Sequence, residues 1–587
     1  MKTIKDSEEF RTSSPQCNRD KNLKTLWNQV YPGEEVVFEE VYSALLEFRQ
    51  SILKEGSEND PLWYQKAVVY CLYVDRFAGS FEGLTGRLEY LQGLGVNCLW
   101  LLPILDSPMR DEGFDVRNYY AIREELLDPT GINPDPQEFS NFLEEAKSRG
   151  IRIIFDLALN HCSKEHSFFR EACSNKSSRY RDYFIWSPNP DRFEDCRIIF
   201  KGLVESNWSF EPNTKEYYLH RFYPHQPDWN YRNPRVLFQA LEIMLHWKSM
   251  GIDGFRMDAV PYLWKEEGTN CENLPGTHAI LKFLRAAVDF VQPGTLLLAE
   301  ACQPPTDVVA YFGNGDEVHG AYHFPLMPQI YLALARESSQ PLLDILDPRV
   351  TPEIPEGTSW FTFLRCHDEL TLEMVNNEER ALLNEVYCHD PDWSFREGEG
   401  ISARLADLFQ KRALPILLMH SILLTLDGVP ILYYGDEFAE RNQKKSLEEF
   451  ESRTGLRDSR ALVRGRIDWE RVERKLDDPE SLESRVFYPL KKMLKIRTQR
   501  LTSLREAPQF HKVPQGLCAY SRNLASGEEI LFLSNLSAAK RNFNPDPPLS
   551  GIDVLTGKKI HTPMILPAYG IFWIEVSENS ASSATFD

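Results

Sequence analysis

Three acidic residues stand at the ends of short apolar segments of the kind that form buried strands. They are Asp258 in GIDGFRMDAV (251–260), Glu300 in GTLLLAE (294–300) and Asp368 in SWFTFLRCHDE (359–369). Like charges packed close together are costly unless chemistry needs them. One such chemistry is cleavage of a glycosidic bond with retention, in which a carboxylate attacks the anomeric carbon and a protonated carboxyl about 5–5.5 Å away donates to the leaving oxygen.

Other polar residues occupy similar positions along the chain. Arg256 precedes Asp258 by two residues, so both side chains point to the same side of a strand, and its fixed charge would keep the carboxylate ionised. The segment IRIIFDLALNH (151–161) carries Asp156, Asn160 and His161 at its end, and His367 precedes Asp368. We expect these residues to converge on one site. Asp156 and Asn160 could alternatively be simple hydrogen-bonding residues at a strand end.

The segments that must position these residues alternate with helical patterns. Eight continuous apolar runs are found at 67–77, 96–103, 151–161, 251–260, 294–300, 319–326, 359–369 and 428–437. Strands that are apolar on both faces belong to a parallel sheet covered by helices. The sequence therefore predicts an α/β fold, a (β/α)8 TIM barrel, in which the carboxyl ends of the strands meet on one face.

The remaining segments predict the organisation around the barrel. We expect an N-terminal helical segment at 1–60, a catalytic barrel at 61–504 and a C-terminal antiparallel β-domain at 505–587. An interval at 162–232 is too long for a simple connection and predicts an inserted subdomain after strand 3. A second long interval at 376–412 predicts a lid-like insertion.

The net charge, the apolar runs and the cysteines indicate which partners and which cellular location to expect. The 587 residues carry a net charge of −21, which repels phosphate backbones and anionic membrane surfaces, so we expect no nucleic acid and no membrane partner. The N-terminus lacks an apolar signal segment, and no run of about 18 apolar residues occurs. The eleven cysteines contain no C-x-x-C pair, which predicts free thiols and a cytoplasmic location. The sequence does not indicate the oligomeric state.

Four segments together resemble the signature regions of the α-amylase family of glycoside hydrolases and transglycosidases. They read DLALNH, GFRMDAV, LLAEA and RCHDEL, in the order and spacing typical of that family. The resemblance implies that Asp258 is the nucleophile, Glu300 the general acid/base and Asp368 the transition-state stabiliser. It also implies that His161 and His367 bind sugar hydroxyls, that Arg256 is the invariant arginine, and that Asp156 and Asn160 support the site.

The resemblance extends to relatives that bind one terminal glucose. In DEGFD (111–115) and GLRDSRALVRGRIDW (455–469), Asp111 and Arg460 match an aspartate and an arginine that pair to close the pocket floor. Phe114 takes the place of a tyrosine that stacks on this glucose. These matches imply an exo-acting enzyme with a small α-glucoside substrate. The alternative is that Asp111 and Arg460 form an ordinary surface ion pair and do not close a pocket.

Two branches of the family share further segments with this chain. HRFYPHQPDWNYRNP (220–234) and FLRCHDELTLEMV (363–375) resemble trehalose synthases, which isomerise maltose and trehalose, and 376–412 resembles their lid. The helical N-terminal segment, YVDRFAGS and Cys366 resemble amylosucrases and sucrose hydrolases, which act on sucrose. We favour glucosyl transfer from maltose to trehalose. Sucrose-directed activity, a plain α-glucosidase and a catalytically weak glucan-binding protein remain alternatives.

The sequence predicts no metal and no cofactor. Asn160 matches a calcium ligand of some relatives, and trehalose synthases carry a calcium-binding loop rich in glycine and aspartate after strand 1. Here that loop reads DRFAGSFEGL, which offers too few carboxylates to hold calcium well.

Overall fold

The computed structural model describes residues 15–54, 60–501, 507–524 and 527–577. Its centre is a closed barrel of eight parallel strands, each paired with the next in sequence and the eighth with the first. The strands, numbered 1–8 in chain order, are Val69–Leu72, Cys98–Leu101, Arg152–Ala158, Gly254–Asp258, Leu296–Ala299, Gly320–Tyr322, Ser359–Phe363 and Val429–Tyr433. The predicted barrel is confirmed.

Helices cover the outside of this barrel. The longer ones are Phe81–Leu94, Gln137–Ser148, Pro234–Ser249, Pro275–Val291, Leu326–Ala335, Ala413–Thr425 and Leu482–Arg500. Shorter helices Gln340–Leu346, Lys444–Thr454 and Trp469–Leu476 fill the connections. Because helices cover the outer face and side chains fill the interior, the strands read as continuous apolar runs.

Two N-terminal helices, Pro15–Val30 and Glu35–Lys54, lie against the barrel. The ring of Trp27 meets Phe283 edge-on at 5.3 Å between centroids, and the Tyr31 hydroxyl donates to the Tyr231 carbonyl at 2.6 Å. This helical segment therefore covers barrel helices. Residues 1–14 and 55–59 of the predicted segment lie outside the described residues.

Two insertions stand at the carboxyl ends of the strands. The interval after strand 3 contains helix Ser167–Ser174 and a three-stranded antiparallel sheet formed by Trp186–Ser187, Trp208–Glu211 and Glu216–Leu219. The interval after strand 7 contains helix Asn377–Tyr387, whose first turn is closed by reciprocal bonds between Asn376 and Glu379. Strands Leu370–Thr371, Gly400–Ile401 and Ser394–Phe395 tie the second insertion to the strand-7 loop that carries Asp368.

The C-terminal part of the chain is antiparallel. Its main sheet contains Gln509–Phe510, Leu517–Asn523, Glu529–Asn535, Ile571–Val576, Ser550–Asp553 and Lys558–His561, in that spatial order. Helix Ala413–Thr425 is apolar on every side, since it lies between the barrel and this sheet. Trp573 donates to the Ser421 hydroxyl at 2.9 Å across that contact. Residues 505–506, 525–526 and 578–587 of the predicted domain lie outside the described residues.

Two further observations concern the cysteines and the lengths of the helices. The ten cysteines between Cys71 and Cys518 are free thiols, and eight of them are buried. Among the helices of the described residues, none is both long enough and apolar enough to cross a bilayer.

Candidate active site

Arg256 joins three carboxyl groups at the end of the barrel. Its Nη1 lies 2.6 Å from one oxygen each of Asp156 and Asp258, and its Nη2 lies 2.9 Å from Glu300. Strand register explains the contacts: Asp156 lies opposite Arg256 on the neighbouring strand, and Glu300 is bonded through its backbone N–H to the Met257 carbonyl. The guanidinium therefore holds two of the proposed reacting groups side by side.

The backbone after the proposed nucleophile also contacts the acid. Ala259 adopts φ +54°, a left-handed conformation that is uncommon for a residue with a side chain. This conformation directs its N–H to Glu300 Oε2, at 3.0 Å. Such strain persists where the surrounding structure fixes it, and it is frequent at active sites.

The two carboxyl groups have different proton affinities. Burial, opposed by Arg256, raises the pKa of Asp258 to about 6. Burial, opposed by Arg256 and reinforced by the charges of Asp258 and Asp368, raises the pKa of Glu300 to about 8. At neutral pH Asp258 is then ionised and Glu300 carries a proton, as a nucleophile and a general acid require.

We expect a bell-shaped pH dependence of kcat/KM from these two groups. Activity should rise as Asp258 loses its proton near pH 6 and fall as Glu300 loses its proton near pH 8. Steady-state rates from pH 4 to 10 at constant ionic strength would measure both limbs. A rate that stays flat above pH 9 would contradict the role of Glu300 as the acid.

Asp368 is held by two arginines from the loop after strand 8. Arg460 Nη1 and Arg464 Nη2 each lie 3.0 Å from Asp368 Oδ1, and His367 Nε2 lies 3.1 Å from Oδ2. Burial would raise the pKa of this carboxyl, but His367 and the two guanidinium groups hold it well below its usual range. Asp368 is therefore a permanent negative charge, suited to accept hydrogen bonds from hydroxyl groups.

The predicted ion pair of Asp111 and Arg460 is present, but its two charged groups are farther apart than in a direct hydrogen bond. Arg460 Nη2 lies 3.7 Å from Asp111, whereas its Nε and Nη2 bond to Asp458 at 2.6–3.0 Å. Asp111 instead accepts from Gln226 Nε2 at 2.9 Å, and the same amide lies 3.2 Å from His161 Nε2. The floor is thus closed by a wider polar network than the sequence indicates.

These residues surround one cavity, which we call the central pocket. Its volume of about 130 Å³ is small beside the roughly 300–1,000 Å³ of typical small-molecule sites. Eight of the predicted residues line it: Asp111, Phe114, His161, Asp258, Glu300, His367, Asp368 and Arg460. Arg256, Asp156 and Asn160 lie beneath it, where they support the residues that face the pocket.

Phe114 stacks on a histidine of the pocket wall. The rings of Phe114 and His367 are 5.3 Å apart and inclined by 15°. Burial lowers the pKa of His367 well below its ordinary value, so the imidazole is neutral. The pair forms an uncharged wall beside Asp368.

The surroundings of Asn160 test whether a calcium ion fits there. Lys265 Nζ lies 2.7 Å from Asn160 Oδ1 and 2.8 Å from Asp228 Oδ2, and all three side chains are buried. A cation ligated by the same oxygens would meet the ammonium group. Asp75, after strand 1, is paired with Arg76 and Arg123 at 3.3 and 3.2 Å, which leaves that loop unsuited to calcium as well.

We expect chelation to leave the protein unaffected and the loss of Lys265 to destabilise it. Treatment with EDTA should change neither the melting temperature nor the rate. Lys265→Met leaves Asp228 buried without its ion-pair partner and should lower the free energy of unfolding by about 3–5 kcal/mol. Lys176→Met is the control with little expected effect, because Lys176 is exposed and Glu216 keeps its second partner, Arg181.

Ion pairs connect the first insertion to the strand-7 loop and to the second insertion. Arg197 reaches Glu373 of the strand-7 loop at 3.4 Å, and Lys201 reaches Glu399 of the second insertion at 2.8 Å. We call these two pairs the bridge. Arg396 contacts both Glu373 and Glu399, and Glu373 and Arg396 line the pocket. The bridge therefore joins the walls around the mouth.

Several residues of the site were not predicted from the sequence. Arg464 and Asp458 are two of them, although the charged cluster RDSRALVRGR follows strand 8, where residues lie near the carboxyl ends of the barrel strands. Gln226 had no signal, because a lone glutamine in a polar insertion is unremarkable. Lys265, in LWKEEG, resembles a solvated charge run.

Comparison with known proteins bears on the family. Residues 48–486 match the sequence profile described as the alpha amylase catalytic domain. The trehalose synthase/amylase of Mycolicibacterium smegmatis is 49% identical over 389 residues, covering 64% of each chain. The trehalose synthase of Pimelobacter sp. is 45% identical over 397 residues, covering 64% of this chain and 67% of that one. The match thus spans slightly less than two thirds of the mycobacterial protein.

A solved structure shows the same fold. The trehalulose synthase from Pseudomonas mesoacidophila superposes with a TM-score of 0.67 at 21% identity, over 88% of this chain and 99% of that one. With four signature regions, an eight-stranded barrel and a profile match over most of its length, the chain belongs to the α-amylase family.

Proposed function

We propose that the protein is a retaining, exo-acting α-glucoside enzyme that transfers a glucosyl unit within one substrate, interconverting maltose and trehalose. The observation that carries the proposal is a small pocket whose mouth is spanned by the bridge. A pocket whose mouth is narrowed by ion pairs slows the entry of water and the escape of the released sugar, and both effects favour transfer over hydrolysis.

The chemistry proceeds by double displacement. An oxygen of Asp258 attacks the anomeric carbon of the bound glucose while Glu300 gives its proton to the departing glycosidic oxygen. A covalent glucosyl ester on Asp258 results. Glu300, now ionised, removes a proton from the incoming hydroxyl, which attacks the same carbon and regenerates Asp258. Two inversions retain the α configuration.

The remaining residues hold the sugar. Asp368 and His367 face the same pocket and would bind glucose hydroxyls, the first as an acceptor and the second through its neutral ring. Asp111 and His161, fixed by Gln226, would bind hydroxyls at the floor. Phe114 offers its ring for stacking on the sugar. Because the floor is closed, one terminal glucose fits and a chain cannot pass through.

The curated relatives agree with this assignment. Proteins named trehalose synthase from four genera are 45–49% identical over the matched region. Since that region is less than two thirds of the first relatives, the activity is a proposal for this chain. Its substrate is then a small glucoside.

Product analysis by proton NMR would test the function. Purified protein is incubated separately with maltose, trehalose and sucrose. Trehalose formed from maltose with little free glucose is the expected result. Fructose release from sucrose, with maltose and trehalose untouched, would instead select sucrose as the substrate, and binding without turnover would select a glucan-binding protein.

The bridge gives a sharper test. Lys201→Met breaks one of its ion pairs outside the pocket, and the share of product released as free glucose should rise about 1.5- to 5-fold, the range expected for an exposed pair. Lys176→Met removes a lysine that pairs with Glu216 inside the first insertion, and it should leave the share unchanged. Equal glucose shares in both variants would contradict enclosure by the bridge.

A further inference from the structure

A second cavity lies between the first insertion and the loop after strand 2, next to the floor of the central pocket. Its volume is about 470 Å³, and its lining is Arg110, Ser163, Lys164, Glu165, Arg170 and His225. We call it the basic cavity. Nothing in the proposed reaction uses it.

The basic cavity carries an excess of positive charge. Among the described residues, no carboxylate lies within ion-pair distance of Lys164 or Arg170. Glu165 is shared between Arg110 at 3.5 Å and Arg117 at 3.6 Å. In a chain of net charge −21, such a local excess is not a general property of the surface and indicates a site for an anion.

A histidine forms an uncharged part of the cavity wall. His225 Nε2 is buried and has no hydrogen-bond partner among the described residues. Burial and the charge of Arg110 lower the pKa of this imidazole to about 3, so the ring is neutral. Its position is fixed by stacking on Tyr223 at 5.2 Å and by the bond from the Lys164 N–H to its carbonyl at 2.9 Å.

We propose that the basic cavity binds a phosphoryl group, as inorganic phosphate or as the phosphate of a phosphorylated sugar. Arg110, Lys164 and Arg170 supply the charge, and the neutral ring of His225 forms part of the wall. Phosphate is the anion that such a set of cations binds well, since its several oxygens accept from more than one of them. The volume leaves room for an attached sugar.

The chain connects this cavity to the central pocket. Arg110 is followed by Asp111, His225 by Gln226, and Ser163 stands two residues after His161. Each of these three segments therefore has one residue in the basic cavity and another in the floor network. An anion that draws Arg110 toward the cavity acts on the same network, because Asp111 follows Arg110 in the chain, so we expect phosphate and sugar binding to be coupled. This coupling rests on the proposed function of the pocket.

Isothermal titration with inorganic phosphate at constant ionic strength would test the site. One phosphate should bind per chain. The double variant Lys164→Ala/Arg170→Ala should weaken binding by on the order of tenfold for each cation removed. Lys176→Ala/Arg179→Ala removes two charges from the same insertion outside the cavity and should bind as the wild type does. Equal affinities of the two double variants, or no binding by the wild type, would overturn the proposal.

Two further arms identify the ligand and the coupling. Titration with glucose 6-phosphate tells a sugar phosphate from free phosphate, because tighter binding than inorganic phosphate shows that the sugar is also bound. Repeating the phosphate titration with saturating glucose should change the phosphate affinity, and by linkage phosphate should change the glucose affinity by the same factor. An unchanged affinity would contradict the coupling. Phosphate binding is measured without turnover, and the cavity variant should keep the basal activity, so failure here is distinct from failure of the proposed function.

Discussion

Asp258→Asn should reduce kcat by about four orders of magnitude or more, because the amide cannot form the glucosyl ester. The substitution keeps the size of the side chain and its contact with Arg256. The rate is measured as product formed from maltose or trehalose, with a sensitive glucose assay to reach low values.

The fold serves as the control for this variant. Circular dichroism and the melting temperature should match those of the wild type, because Arg256 keeps its ion pair with Asp156, its contact with Glu300 and a side chain of the same size at position 258. A folded Asp258→Asn protein that retains more than a few per cent of wild-type activity would refute the assignment of the nucleophile.

Glu300→Gln should reduce kcat on natural disaccharides by about two to four orders of magnitude, the usual contribution of general acid–base catalysis. The amide cannot supply a proton to a sugar leaving group. The fall of activity near pH 8 should disappear with it, since that limb reports the Glu300 proton. Rates across the pH range would be measured for both proteins.

A substrate that needs no proton separates the acid role from a structural one. α-Glucosyl fluoride has a leaving group that departs without protonation, and azide can attack the ester without a base. Glu300→Gln with both reagents should recover much of the lost rate and give the α-glucosyl azide. Rescue should fail in Asp258→Asn. Equal failure in the two variants would contradict the acid/base role of Glu300.

The barrel could be predicted because strands that are buried on both faces appear in the sequence as continuous runs of apolar residues. All eight predicted runs contain a strand, but several runs extend past it. The run 67–77 contains strand Val69–Leu72 and then the helical turn Val74–Phe77. Phe77 in that turn packs on Tyr434 and Trp469, so apolar character continues where strand geometry has ended. Only the backbone hydrogen bonds mark that boundary.

The site could be predicted where a residue belongs to a motif at a strand end. Asp258, Glu300 and Asp368 were found in this way, and the structure brings them to one pocket. The partners of Arg460 could not be predicted, because three carboxylates lie near its guanidinium and the backbone geometry decides which of them it contacts most closely. Asp458 caps the helical turn that carries Arg460, and both of its carboxylate oxygens bond to the guanidinium. Lys265 was hidden for a related reason, as burial of its ammonium group depends on two distant segments.

The sharing of Arg256 by Asp258 and Glu300 has a consequence for the second half of the reaction. When Asp258 becomes an ester, its negative charge is gone, and the repulsion that helps to raise the pKa of Glu300 goes with it. The guanidinium remains, 2.9 Å from Glu300, and now has one carboxylate fewer to neutralise it. The pKa of Glu300 must therefore fall once the ester forms, and the carboxyl that served as an acid is left ionised as a base. The reaction itself resets the proton affinity, with no movement of the chain.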